Sequence, residues 1–499
     1  MLLLILVKMN RNPLCALFLL LSILAANSCK TRTPVALSEE ISFIENGLLP
    51  EILVRGDTVC GFNIMERMEY YKVPGASLAV VEGGRIKWAK GYGVARTTDD
   101  QEVVASTIFQ AGSISKPLAA LAVLKLAEEG KVALDEDVNN YLTDWKVPEN
   151  EFTSREKVTL RRLLTHSAGM TVHGFPGYLQ TDTFPSIETV LEGKGNTPAI
   201  LVDTIPGSIW RYSGGGYTVM EKVVEAVSGM PFETYMADHI LSPMGMVNST
   251  YAQPLPDRLS PMASAAYDAE GELIEGLWHN YPEQAAAGLW TTPTDLARYC
   301  IEIQEILAGK KEGILKQETV EMMLTKHMND WGLGPSLAWD ADSLRFQHGG
   351  KNAGFTNDMI AFAHHGNAII IMTNADQGGK LIGEILRSVS KYYGWGISQP
   401  RMVDTIALSA ERLSRLTGQY KLDYQVPGIG DYLIGVELVN NRLYISDPND
   451  SDTIGLTALN DSIFMNLEKG EEIKFQVAEE TARIGLLWDD RFQFYRISE

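Results

Sequence analysis

Phe109-Gln110-Ala111-Gly112-Ser113-Ile114-Ser115-Lys116-Pro117 is the stretch whose reading decides the fold. Behind it, Pro117 to Glu129 is almost entirely strong helix formers and Gly130 supplies a left-handed stop, which places Ser113 at a helix N-terminus. Pro117 is tolerated only that early in a helix. Two residues three apart in a first turn share a face, so the Ser113 hydroxyl and the Lys116 amine can meet. A serine hydroxyl is a poor nucleophile until a base removes its proton. A lysine desolvated beside the positive pole of a helix dipole is pushed toward its neutral, basic form.

Ser-x-x-Lys alone says little, because about two such pairs are expected by chance in a chain this long. Two others are present. Ser154 to Lys157 falls in the charged segment Glu149 to Lys157, which reads as a solvated connection. Ser388 to Lys391 falls inside a late amphipathic helix, where both residues are expected at the surface. Ser113 differs by its context: an apolar Thr107-Ile108-Phe109 approach, a flexible Ala111-Gly112, then the helix.

Composition bounds the rest. The chain has 499 residues, 45% of them hydrophobic, with no low-complexity tract, so two or three domains with a large core are expected. A formal charge of -20, with no basic patch, argues against nucleic acid as a partner. Residues 1–28 read as an export signal: Lys8 and Arg11, the apolar run Ala16 to Ala26, then the small residues before Cys29. Met9 serves equally as a start. About eleven apolar residues are too few to span a bilayer. Removing two positive charges and no acids takes the formal charge from -20 to -22. Cys29 resembles the lipidated cysteine of bacterial lipoproteins, which implies a chain exported to the cell envelope and anchored to a membrane, periplasmic or surface-facing. Cys60 and Cys300 remain, either as a disulfide or as two buried thiols. The His364-His365 pair beside Gly366 reads as an exposed turn, and no metal-ligand spacing occurs.

Along the chain, Glu39 to Tyr71 reads as mostly helical, interrupted near Arg55-Gly56-Asp57. Ala76 to Val81 and Ile86 to Val94 flank Glu82-Gly83-Gly84-Arg85, a strong hairpin signal. Thr159 caps a short helix that runs into Thr165-His166-Ser167-Ala168-Gly169; His166 and His173 read as structural. The loop His173 to Tyr178, rich in glycine and proline, reads as a recognition loop. Tyr212-Ser213-Gly214-Gly215-Gly216-Tyr217 precedes a helix expected from about Thr218, its glycines marking either a backbone that another group approaches closely or a tight turn with two packing tyrosines. Thr292-Pro293 opens a helix to Ala308. A strand ends in His348-Gly349-Gly350-Lys351, a hairpin follows over Met359 to Thr373, and Lys380 to Tyr393 is a helix packed on it. From about Leu408 short alternating segments with turns suggest a small all-β module, assigned first to stability.

Four of these motifs occur in one order: Ser113-x-x-Lys116, Leu163 to Gly169, Tyr212-Ser213-Gly214, and His348-Gly349-Gly350 before Gly354-Phe355. Together they resemble the serine β-lactamase and penicillin-binding superfamily, in its class C-like branch of β-lactamases, D-amino-acid peptidases and esterases. The resemblance implies an α+β fold: an antiparallel sheet flanked by helices plus an all-helical subdomain, spanning residues 29–400, with the barrel-like all-β domain at 405–499. It implies that Ser113 attacks a carbonyl to form an acyl-enzyme, that Lys116 and Tyr212 share the proton transfers, and that the backbone N–H groups of Ser113 and Lys351 form the oxyanion hole. A tyrosine close to an ammonium is expected to ionise more readily, the two titrating as a unit. No cofactor and no metal is required.

Two departures bear on substrate. Gly214 stands where the family has asparagine, and His348-Gly349-Gly350 replaces Lys-Thr-Gly, so a fixed positive charge becomes a mostly neutral imidazole. Both point to a serine hydrolase of esterase, amidase or D-peptidase type acting on a small-molecule or peptidoglycan-derived substrate, with little or no β-lactamase activity. The alternatives are a penicillin- or peptidoglycan-binding receptor without turnover, and a true class C β-lactamase.

Overall fold

The computed structural model describes residues 37–340, 343–426, 429–447, 450–477 and 484–498. The export signal and Cys29 lie outside the described residues. In chain order, α1 (Leu37–Glu45), β1 (Ile52–Val54) and α2 (Ile64–Tyr70) lead to the hairpin β2 (Gly75–Glu82) and β3 (Arg85–Arg96). Then come β4 (Gln101–Glu102), β5 (Phe109–Gln110), a 3-10 turn (Gly112–Ile114), α3 (Ser115–Glu128), α4 (Leu160–Leu164), α5 (Gly214–Ser228), α6 (Gln284–Ala287), β6 (Trp290–Thr291) and α7 (Pro293–Leu307). The domain closes with β7 (Ser336–Asp340), β8 (Ser343–Asn352), β9 (Phe355–Phe362), β10 (Ala368–Thr373), α8 (Gly378–Tyr393) and β11 (Arg401–Val403).

Alternation sets the layers. In β2, Ala79 and Val81 face one side of the sheet and Ala76, Leu78 and Val80 the other; in β10, Ile370 and Met372 oppose Ile369 and Ile371. Successive side chains of a strand point to opposite faces, so a strand that is apolar throughout must be covered twice. α7 covers one face, with α3 and α5 in the same apolar cluster, and α8 covers the other, with α1 packed on it. The seven-stranded sheet runs β4-β3-β2-β10-β9-β8-β7. The β2–β3 hairpin turns at Gly83 and Gly84, both with positive φ, as its sequence predicts.

The register of β8 positions the site. β7 pairs with it only from Ser343 to Gln347, whereas β9 pairs from Arg345 to Asn352. His348 to Asn352 therefore has one edge with no strand partner, and the 3-10 turn that carries Ser113 packs there.

Three expectations change. Glu39 to Tyr71 is not mostly helical: β1 lies between its two helices and pairs in parallel with β11, Leu53 opposite Met402, a partner far beyond any local pattern. Ser388 is fully buried and its hydroxyl donates to the Ile44 carbonyl (2.8 Å), because α8 carries α1 on that face. Cys60 is exposed while Cys300 is buried in α7, and both are free, so neither the disulfide nor the pair of buried thiols forms.

After β11, eight strands from β12 (Gly418–Val426) to β19 (Phe492–Ser498) close in sequence order into an antiparallel barrel. Tyr420, Leu422, Ile434, Ile445, Phe464, Phe475, Leu486 and Phe494 fill it, as expected for an eight-stranded barrel whose lumen just holds its own side chains. Ile52, Val403 and Met465 form a small apolar cluster joining it to the sheet domain.

Arg67 of α2 donates through Nε and Nη2 to the two carboxylate oxygens of Glu384 in α8 (2.7 and 2.6 Å), and the Tyr71 hydroxyl donates to the same carboxylate (2.8 Å). Glu384 is almost wholly buried. Glu384→Ala strands a guanidinium against an apolar layer, so we expect a loss of about 3 kcal/mol in urea unfolding followed by tryptophan fluorescence. A loss inside the error of the melt would mean that the pair adds nothing to the layer.

Candidate active site

Ser113 sits mid-turn between β5 and α3. Gly112 takes φ +55, which an L side chain disfavours, and a Cβ there would lie 2.6 Å from the Lys351 backbone nitrogen. A Cβ on Gly350 would lie 1.9 Å from the Ala111 carbonyl. The two glycines let the turn and the free edge of β8 touch, which brings the Ser113 and Lys351 backbones to the same place. Ser115 locks the turn: its hydroxyl donates to the Gly112 carbonyl (2.6 Å) and accepts from Leu289 N–H (3.1 Å).

Lys116 lies one helical step further in and is 2% exposed. Its Nζ is 3.0 Å from Ser113 Oγ and donates to the Ala286 carbonyl of α6 (2.7 Å). Both partners are neutral. Desolvation pushes the amine down from 10.5 to about 7, so near neutral pH it holds a lone pair facing the serine hydroxyl.

Tyr212 arrives from the loop before α5. Ser213 caps that helix, its hydroxyl accepting from Gly216 N–H (3.0 Å) and donating to the Thr171 carbonyl (2.7 Å). The helix begins at Gly214, four residues before the expected start, because this cap holds the three glycines in the first turn. The phenol ring packs 5.0 Å from Lys116 Nζ, and the Ser113 side chain is near enough to act on its hydroxyl. Burial raises its pKa, and the Ser113 hydroxyl offsets only part of that. The expected ease of ionisation is therefore reversed: burial leaves the phenol little water, and it keeps its proton.

Gly214 donates its N–H to the His173 carbonyl (2.9 Å), and a Cβ there would lie 2.9 Å from the Phe175 ring and 3.0 Å from that carbonyl. The place of the family asparagine is filled by the His173 to Tyr178 loop, so Gly214 contributes neither to the lysine nor to an oxyanion hole. His348 is 5% exposed. Its Nδ1 faces the Gly349 carbonyl at 2.6 Å and so carries the proton, leaving Nε2 as an acceptor without a protein partner. Burial and the neighbouring Lys116 push it down to about 3, so the ring stays neutral.

Fixed cations face away from this point. Lys351 extends to Asp376 (3.7 Å), and Arg211 pairs with Asp203 and donates to the Gly169 carbonyl (2.9 Å). Instead Trp331 meets Tyr212 and His348 edge-to-face (5.8 and 5.6 Å), and His173 lies 4.8 Å from the phenol. Sequence reasoning had no signal for Trp331 or for the Ala286 carbonyl, and it read His166 as structural. His166 stacks on Tyr212 at 4.2 Å.

A family model described as Beta-lactamase matches residues 63–387. Penicillin-binding protein 4 of Amycolatopsis lactamdurans is 24% identical over 65% of this chain and 86% of its own. The octameric penicillin-binding protein homologue from Pyrococcus abyssi superposes with a TM-score of 0.60 at 23% identity, covering 87% of this chain and 98% of its own. The D-amino acid amidase from Ochrobactrum anthropi SV3 superposes at 0.54 and 20% identity, covering 66% and 96%.

A lysine that loses its proton near 7 gives a definite pH dependence. Below that value the ammonium cannot accept a proton, so the rate of Ser113 labelling by a fluorophosphonate is expected to rise about tenfold per pH unit on the acid side and then level off. A labelling rate flat between about pH 5 and 8 would remove Lys116 as the base.

Proposed function

The chain belongs to the β-lactamase family, and on that premise we propose that it is a serine hydrolase that opens ester, amide or D-amino-acid peptide bonds through an acyl-enzyme on Ser113. The observation that carries this is the buried lysine, bonded only to a serine hydroxyl and a carbonyl.

The geometry supports the following steps. Neutral Lys116 takes the proton of Ser113 as Oγ attacks the substrate carbonyl, and the carbonyl oxygen gathers charge between the Ser113 and Lys351 N–H groups. The Tyr212 phenol, still protonated, hands its proton to the leaving oxygen or nitrogen and is recharged from the Lys116 ammonium. Water then enters and attacks the acyl carbonyl, the same pair takes its proton and hands it to Ser113 Oγ, and the acid leaves with the serine hydroxyl restored.

Substrate preference follows from polarity. A substrate carboxylate is acceptor-only, and His348 Nε2 is an acceptor too, so the charge-assisted bond that a lysine would give is missing. Hydrogen bonds to charged groups contribute about 1.5–3 kcal/mol, or roughly 10- to 150-fold in binding. Trp331, edge-on to Tyr212 and His348 with Trp210 packed on it, suits an uncharged acyl or alkoxy group instead. A β-lactam, which carries a carboxylate beside its reacting ring, is the disfavoured substrate. We carry the export signal and Cys29 forward as part of the proposal: a lipid-anchored protein of the bacterial cell envelope, with small-molecule or peptidoglycan-derived substrates.

A second reading rests on Gly214. With no asparagine to orient an acyl amide, deacylation slows, and a receptor that holds penicillin without turnover results. Following release of labelled penicillin from Ser113 separates the two: a persistent adduct favours the receptor, release the hydrolase.

Hydrolysis of short-chain nitrophenyl esters is expected to exceed that of a chromogenic cephalosporin at equal concentration, and Ser113→Ala or Lys116→Ala should abolish both. Cephalosporin turnover well above ester turnover would reverse the preference. Cys29→Ala is expected to move the protein from the membrane fraction to the soluble envelope fraction on immunoblots; retention in the membrane would refute the anchor.

A further inference from the structure

His166 has no part in the steps above, yet it holds the chain on both sides of Tyr212. Its backbone carbonyl accepts from Arg211 N–H (2.8 Å), and its Nδ1 accepts from Ser213 N–H (3.1 Å). Between those two bonds the imidazole stacks on the phenol, with centroids 4.2 Å apart and planes inclined by 29°. The residue is 2% exposed and takes φ +56, in the left-handed region. That conformation costs about 1–2 kcal/mol for an L residue, and it is what turns the ring back from the end of α4 onto Tyr212.

The tautomer follows from the donor. A backbone N–H can only donate, so Nδ1 is unprotonated and the proton of the neutral ring sits on Nε2, which is enclosed without a protein partner. The groups facing the ring are Lys116 from α3, Tyr217 from α5, His348 from β8, and Tyr212, His173 and Trp331 from loops. Burial and the charge of Lys116 hold the imidazole well below its ordinary pKa, so it adds no charge beside the reacting groups.

We propose that His166 is the positioning residue for Tyr212: it clamps the backbone of Arg211 and Ser213 and lies flat on the phenol, fixing the hydroxyl against Ser113 and keeping water from the Tyr212–Lys116 pair. It touches no reacting atom and acts through Tyr212. The inference rests on the hydrolase reading for its kinetic consequence, although not for the clamp itself.

Two substitutions separate its parts. His166→Asn keeps a side chain that tolerates the left-handed conformation and offers an oxygen to Ser213 N–H, but removes the stacked ring. His166→Phe keeps a ring and removes the acceptor. With melting temperatures confirming that the variants fold, kcat for a nitrophenyl ester is expected to fall about 10- to 100-fold in each, with KM little changed. In His166→Asn, water reaching Lys116 should also move the acid limb of the kcat profile to higher pH by about one unit. A second measurement does not need turnover: alkaline spectrophotometric titration, differenced against Tyr212→Phe, reads the ionisation of Tyr212, which should move to lower pH in His166→Asn. An unchanged Tyr212 titration, or a fall in kcat with an unmoved pH profile, overturns the positioning role. A wild-type protein with no Ser113-dependent turnover overturns the hydrolase reading, and the titration still decides the clamp.

Discussion

Everything in the site depends on the dehydration of one amine. Lys116 is enclosed by α3, α6 and the loop before α5, and its hydrogen bonds go to a hydroxyl and a carbonyl rather than to a carboxylate. A carboxylate partner would have held the ammonium charged and made it useless as a base. The fold bears a penalty for this. It is absent above about 10.5, where the unfolded lysine is itself neutral, grows as pH falls, and is complete below about 7.

Such an enclosure requires backbones to approach more closely than side chains allow, which is why glycines stand at the contacts. Gly112 and Gly350 bring the nucleophile's turn against the open edge of β8, and Gly214 and Gly215 let α5 start against the loop at Thr171 to Phe175. The same crowding excludes an asparagine side chain from position 214. The Ala286 carbonyl is left to orient the amine.

The polarity of the cleft is set by protons rather than by charges. Of the three imidazoles near Tyr212, the two fully buried ones take opposite tautomers: His166 with its free proton on Nε2, His348 with Nε2 bare. Each is fixed by one backbone group, a donor in the first case and an acceptor in the second. Burial keeps both of these rings neutral. The barrel stands apart from this chemistry, its lumen filled by its own side chains and joined to the sheet domain through Ile52, Val403 and Met465.

The α+β core was implied by the resemblance that four ordered motifs carry, whereas other facts stand in neighbouring residues themselves: Ser113 and Lys116 on one face of a helix start, the β2–β3 hairpin from paired glycines, and the helix caps at Thr159 and Thr292. These are readable because helix period, turn chemistry and capping act over a few neighbouring residues. Only the tertiary structure decided what required distant segments to meet: the pairing of β1 with β11, the burial of Ser388, the direction in which Tyr212 titrates, the carbonyl that holds Lys116, and the histidine stacked on the phenol. Proton affinity in particular is set by how much water the whole fold excludes. No spacing of residues along a chain records that.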